Sequence, residues 1–174
     1  IMKMSQKAKI QLKKVTKLDL KLLIKWRNSK DVYPYNTQYF LLNSKIQIEW
    51  FNQLQNDNSK KMFMIMVDKI KIGICGLIDI DYENKNAKIA IIIGEKAFHE
   101  KGIGTMVISH LLKYGFEKLK LHKINSEVIE YNEKSIHLFE KSQFKLDATH
   151  RDVIWRENRW WNILSMSIFK KDFN

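Results

Sequence analysis

A single cysteine, Cys75, excludes any disulfide within the chain. It falls in the apolar run from Ile72 to Ile80 and reads as core packing rather than as a nucleophile. Metal-ligand spacing is also missing: His99, His110, His122, His137 and His150 lie on different expected elements, with no Cys/His cluster, so no metal is expected. No apolar run is long enough to span a membrane, and the polar, basic start holds no apolar signal core, so the cytoplasm is the expected location. Proline occurs once, as Pro34 among Tyr33, Tyr35, Tyr39 and Phe40, and that stretch reads as a loop or short helix lined with aromatics. Nothing resembles a linker or a repeat, which favours one domain over residues 9–170. Acids are the scarcer charge, 19 against 31 lysines and arginines, for a formal net charge of +12. That excess favours phosphate-bearing partners and disfavours a cationic acceptor such as a polyamine. The competing explanation is a lysine bias of the kind that the many Asn and Ile residues suggest.

What is present centres on the stretch from Ile91 to Thr105. Ile91, Ile92 and Ile93 end an isoleucine-rich strand. A charged loop follows, with Lys96, His99, Glu100 and Lys101. Then Gly102-Ile103-Gly104-Thr105 opens a helix that carries Ile108, Leu111, Leu112, Phe116 and Leu119 at helical spacing. The glycines leave backbone N–H groups uncovered where the unpaired donors of a helix start and the positive end of its dipole also point. Such a place holds phosphate. The dinucleotide-binding Gly-x-Gly-x-x-Gly is incomplete here, and no Gly-Lys-Ser/Thr follows to make a P-loop. A plain glycine turn between packed elements is the alternative reading.

Along the chain, a strand over Lys9–Val15 precedes a helix capped at Thr16-Lys17-Leu18-Asp19 and ended by Trp26-Arg27-Asn28. A second helix starts at a capping box, Ser44-Lys45-Ile46-Gln47, and turns Ile46, Trp50, Phe51 and Leu54 inward. Three strands meander over Lys61–Val67, Ile70–Ile80 and Ala87–Ile93. After the glycine loop and its helix come a strand over Lys123–Ile129, a helix from Asn132 to Lys141, a short strand over Phe144–Asp147, a hairpin at Arg156-Glu157-Asn158-Arg159 and a last strand over Trp160–Phe169.

This order, with His99-x-x-Gly102-x-Gly104 and Asn132-x-x-Ser135-Ile136-x-Leu138-Phe139-Glu140-Lys141-x-x-Phe144, resembles the GNAT acyltransferases over roughly Ile10 to Phe169. The family pattern has Gln or Arg at the position of His99, and commonly Tyr at that of Phe139. The resemblance implies an α/β fold, a mixed and mostly antiparallel sheet with helices on both faces. It also implies acetyl-CoA as donor, a small-molecule amine as acceptor, and direct attack of the amine on the thioester. The cofactor would lie along Ile91, Ile92 and Ile93, over the loop of His99, Glu100, Lys101, Gly102, Ile103, Gly104 and Thr105, and against Asn132 and Phe139. A homodimer is compatible with it.

Acetyl transfer needs a neutral amine, a polarised carbonyl and a proton or hydrogen bond for the departing thiolate. Glu127, on the strand facing the cleft, is the expected base, with Asp79 and Asp81 behind it. Phe139 has no proton to give, so Tyr131 and Ser135 are the candidate donors. Arg27, Tyr33, Tyr35 and Asp79 are the candidate acceptor contacts. Trp26-Arg27-Asn28 with the aromatic loop, and Ser126 to Asn132, resemble the N-acetyltransferases of nucleotide-linked amino sugars in pseudaminic acid synthesis. The glycine loop also resembles the ribosomal-protein N-terminal acetyltransferases. A non-enzymatic alternative is a nucleic-acid-binding surface at Trp155, Arg156, Arg159, Trp160 and Trp161, where charge and aromatics interleave.

Overall fold

In a computed structural model that describes residues 9–173, the chain forms one seven-stranded sheet in the order β1-β2-β3-β4-β5-β7-β6. The basic stretch before Lys9 and the final residue lie outside the described residues. The elements are β1 (Ile10–Lys14), α1 (Leu20–Arg27), α2 (Ser44–Asn56), β2 (Lys61–Val67), β3 (Ile70–Asp81), β4 (Asn86–Ile93), α3 (Ile103–Lys113), β5 (Lys123–Ile129), α4 (Glu133–Lys141), β6 (Lys145–Arg156) and β7 (Arg159–Phe169). Every neighbouring pair is antiparallel except β4 and β5.

Alternation along the strands divides the side chains between two cores. Ile65, Ile72, Cys75, Leu77, Ala87 and Ile89 pack with Ile103, Val107, Ile108, Leu111 and Leu112 of α3 on one face. Met64 and Ile74 pack with Leu20, Leu23 and Trp26 of α1 and Phe51 of α2 on the other. Each fully buried side chain of this size contributes about 1.5–3 kcal/mol by leaving water. Cys75 is fully buried, and burial pushes its thiol far up, so it is inert packing. The first cap forms as the sequence implies: Asp19 accepts from the backbone N–H and the hydroxyl of Thr16 at 2.8 and 2.9 Å.

Two elements differ from the sequence reading. The N-cap of α2 is Asn43, whose side chain accepts from the Ile46 N–H at 2.9 Å, so the helix starts one residue earlier than a Ser44 cap would place it. Strand β6 runs twelve residues to Arg156 rather than stopping at Asp147. It is an edge strand exposed on both faces over most of its length and broken by bulges at Leu146/Ala148 and His150/Ile154, so no apolar alternation marks it.

The sheet opens where the site lies. Strand β4 pairs with β5 only from Asn86↔Lys123 to Lys88↔Asn125, although β4 runs on to Ile93 and β5 to Ile129. Beyond Lys88 the two strands part.

Candidate active site

The gap between β4 and β5 continues into a cleft of about 590 Å³. Its walls come from four places: Ile91, Ile92 and Ile93 of β4; the loop residues Phe98, His99, Glu100, Gly102, Gly104 and Thr105; Asn132, Ser135 and Leu138 at α4; and Asp31, Val32, Tyr35 and Asn36 from the segment after α1. Helix α3 begins at this cleft. Its N-cap, Gly102, has φ of 74°, a left-handed conformation that glycine adopts without strain. A side chain added there would meet no atom within 4 Å, so the space above the backbone is open. With no side chain at the cap, the first N–H groups of α3 face that space together with the helix dipole.

His99 lines the cleft with one ring nitrogen already engaged. Its Nε2 donates to the Ile93 carbonyl at 2.7 Å and folds the loop back onto the end of β4. Glu100 pairs with Lys134 of α4 at 3.2 Å, both side chains largely exposed. Asn132 caps α4 by accepting from the Ser135 N–H at 3.3 Å. Lys134, His137 and Lys141 also line the cleft, and the two lysines give this wall positive charge. The sequence reading overlooked all three, although their spacing of three and four residues places them on one side of α4.

Several expected residues stand elsewhere. Ile103 is in the core, and Lys101 lies with its ammonium 5.8 Å from the Phe98 ring centre; neither side chain lines the cleft. Phe139 is also in the core, its ring centre 5.0 Å from that of Phe144, because α4 turns that position toward the sheet. Glu127 is not among the cleft-lining residues. Its carboxylate lies 3.0 Å from the Lys88 ammonium, which is 3.5 Å from Asp79. The bond to Glu127, more than any other influence, holds the Lys88 ammonium above its ordinary range. Asp79 has φ of 50° at the bulge between Ile78 and Asp81, beyond which β3 and β4 pair once more at Asp81↔Asn86. By alternation Lys88 and Glu127 share the sheet face opposite α3, and Glu127 lies two residues past the last β4–β5 pair.

The aromatic segment is held by two buried arginines. Arg27 is 8% exposed, donates to the Gln38 carbonyl at 2.5 Å and has no protein partner for Nη1. Burial lowers its basicity, and nearby Arg156 adds to that. Arg156, 6% exposed, donates to the Pro34 carbonyl at 2.7 Å, to the Tyr131 hydroxyl at 2.6 Å and to the carbonyls of Asn36 and Thr37. Its guanidinium covers the Tyr39 ring at 4.1 Å, and Tyr39 stacks on Tyr33 at 4.5 Å. Arg156 is therefore buried under this segment and is no surface for nucleic acid. A second cavity of about 190 Å³ opens beside it, lined by Pro34, Tyr39, Tyr131, Arg156, Glu157 and Trp161. Of the expected proton donors, Ser135 is in the main cleft and Tyr131 is at this second cavity.

Residues 9–145 match the acetyltransferase (GNAT) domain family. The chain belongs to that family. Among relatives of this GNAT protein, acetyltransferase PseH of Campylobacter jejuni is 26% identical over 147 residues, 82% of this chain and 89% of the relative. Spermidine N(1)-acetyltransferase of Vibrio cholerae is 26% identical over 168 residues, 95% and 96% of the two chains. The crystal structure of the Vibrio cholerae spermidine N-acetyltransferase in complex with CoA and spermine superimposes with a TM-score of 0.87 at 25% identity, covering 94% of this chain and 97% of that one. The GNAT fold and an N-acetyltransferase activity follow for this chain. The open cap at Gly102, the uncovered α3 N-terminus and the parted strand β4 fit a long, diphosphate-bearing thiol ester.

Proposed function

We propose that this GNAT enzyme takes acetyl-CoA as donor and, as acceptor, a primary amine on a sugar linked to a nucleotide diphosphate. The N–H groups at the start of α3 bind the donor's diphosphate. The free edge of β4 at Ile91–Ile93 and the side chain of Asn132 orient its arm. When bound, the thioester supplies an activated acetyl group. Ser135, in the cleft, is the hydroxyl that hydrogen-bonds the departing sulfur. Glu127 takes the amine proton where β4 and β5 part, and Lys88 orients its carboxylate.

The observation that carries the acceptor assignment is the second cavity. It joins the Arg156 guanidinium to the rings of Tyr39, Tyr131 and Trp161. Neither Arg156 nor Arg27 forms an ion pair with a carboxylate among the described residues. Cationic and aromatic groups together suit a phosphate-linked ring. The similarity to PseH supports the same reading.

A polyamine is the second reading, favoured by the spermidine acetyltransferase relatives. The cleft carboxylates that would receive ammonium groups, Asp31 and Glu100, are each already beside a lysine, Lys96 at 3.5 Å and Lys134 at 3.2 Å. Acetyl transfer measured against nucleotide-linked amino sugars, the free amino sugars, spermidine and N-terminal peptides decides between them. Preferred turnover of the nucleotide-linked sugar supports the proposal; preference for spermidine, for peptides, or equal use of free and linked sugars overturns it. A cytoplasmic site of action and a homodimer belong to the same proposal; no described helix is long and apolar enough to cross a membrane.

A further inference from the structure

The last turn of helix α1 holds Trp26, which is 2% exposed and is tied to both walls of the cleft. On the cofactor side, its indole N–H donates to Glu95 at 2.7 Å. Its ring also lies flat against Gly94: a methyl group at Gly94 would sit 2.0 Å from the ring atom Cγ. Gly94 and Glu95 are the hinge from β4 into the loop that carries His99 and Gly102. Both of their N–H groups donate to the Ile72 carbonyl, at 2.8 and 3.1 Å, so the backbone bulges there.

On the acceptor side, the Trp26 carbonyl receives the Ser29 hydroxyl at 2.8 Å, and the Ser29 carbonyl receives the Tyr33 N–H at 2.8 Å. The next residue, Arg27, holds Gln38. Asn28 brackets Leu42, donating to its carbonyl and accepting from its N–H, both at 2.8 Å. The segment 31–42 thus hangs from the last turn of α1. Among the described residues, its one ion pair to the cofactor loop, Asp31 to Lys96, spans 3.5 Å between exposed side chains. A pair so solvated contributes little. The link with a buried member is Trp26 to Gly94 and Glu95; the Glu95 carboxylate is 34% exposed and also lies 3.8 Å from the exposed Lys25 ammonium.

We propose that Trp26 is a positioning residue that couples the two walls, so that donor binding at the glycine loop also orders the acceptor segment 31–42. The inference rests on the reading of the cleft as a CoA site. The Glu95 carboxylate fixes the indole through a charge-assisted hydrogen bond, the flat contact with Gly94 leaves the ring no second position, and α1 carries any shift of the ring into segment 31–42 as a rigid body.

Amide hydrogen exchange of the full chain, with and without CoA, tests it. In the parent, CoA slows exchange at 99–105 and also at 31–38. Trp26→Phe keeps a ring and loses the N–H. It should keep the protection at 99–105 and lose roughly tenfold of that at 31–38, the scale of one hydrogen bond to a charged group. Glu95→Ala should behave like Trp26→Phe and carries the test if the latter does not fold. Glu95→Gln keeps an acceptor oxygen and should restore most of the protection. Protection at 99–105 without protection at 31–38 in the parent overturns the coupling. So does full protection at 31–38 in both Trp26→Phe and Glu95→Ala, since CoA then touches the segment directly. No protection anywhere means that CoA is not the ligand, and the coupling falls with that reading.

Discussion

The Tyr131 hydroxyl donates to the Pro34 carbonyl across 2.5 Å. Arg156 donates to that hydroxyl in turn, at 2.6 Å. The phenol proton is thus committed to the segment after α1; in the proposed reaction Tyr131 holds that segment in place and Ser135 serves the departing thiolate.

Tyr131→Phe should therefore cost about 1 kcal/mol of stability, the worth of one hydrogen bond, and raise the acceptor's KM while leaving kcat close to the parent's. Denaturant unfolding and steady-state kinetics check this. A fall in kcat by ~10²–10⁴ with KM unchanged would show the phenol to be a proton donor.

Glu127→Gln keeps the size of the side chain and removes its basicity. As the proposed base, Glu127 should lower kcat by ~10²–10⁴ when changed, with CoA affinity untouched. Stability should shift by less than about 1 kcal/mol, since the pair with Lys88 is partly exposed. A variant as active as the parent across a pH series would leave Glu127 as one half of an ion pair.

Asp19 supplies a pH test of the fold. Burial pushes its carboxyl up, but hydrogen bonds from Lys71 and Thr16 outweigh that and hold it below the usual range. A carboxyl depressed in the folded state contributes stability above its unfolded value, near pH ~4, and loses it as pH falls through the folded value. Asp19→Asn should be less stable than the parent by about 1.5–3 kcal/mol at neutral pH. The gap should close as the pH drops well below ~4. Urea unfolding at the two pH values measures it; an unchanged gap contradicts the account.

The sequence made the strand–glycine turn–helix unit legible because each local signal agreed: β-branched residues to Ile93, glycine at a φ that needs it, and helical apolar spacing from Ile103. The capping residues Thr16 and Asn132 were legible for the same reason. What escaped depended on distant contacts. The burial of Arg27 is one example, because an exposed and a buried arginine read alike in one dimension; its carbonyl partner at Gln38 is supplied by the fold. The burial of Arg156 is another, since its partner Pro34 lies 122 residues away in the chain. Glu127 and Lys88 come together across parallel strands, and no local pattern announces such a pair. The polar residues Lys134, His137 and Lys141 of α4 carried a signal, but the apolar residues Ile136 and Phe139 set the reading of that helix.

The central claim is that the cleft over Gly102 binds the donor's diphosphate. Gly102→Asp places a carboxylate in space that is now open, against the N–H groups at the start of α3. Calorimetric titration with CoA measures the consequence directly. The parent should bind, and the variant, still melting cooperatively, should bind ~10–100-fold more weakly or not at all, the scale of losing a hydrogen-bonded charge. Equal affinity of the two proteins for CoA would contradict the account.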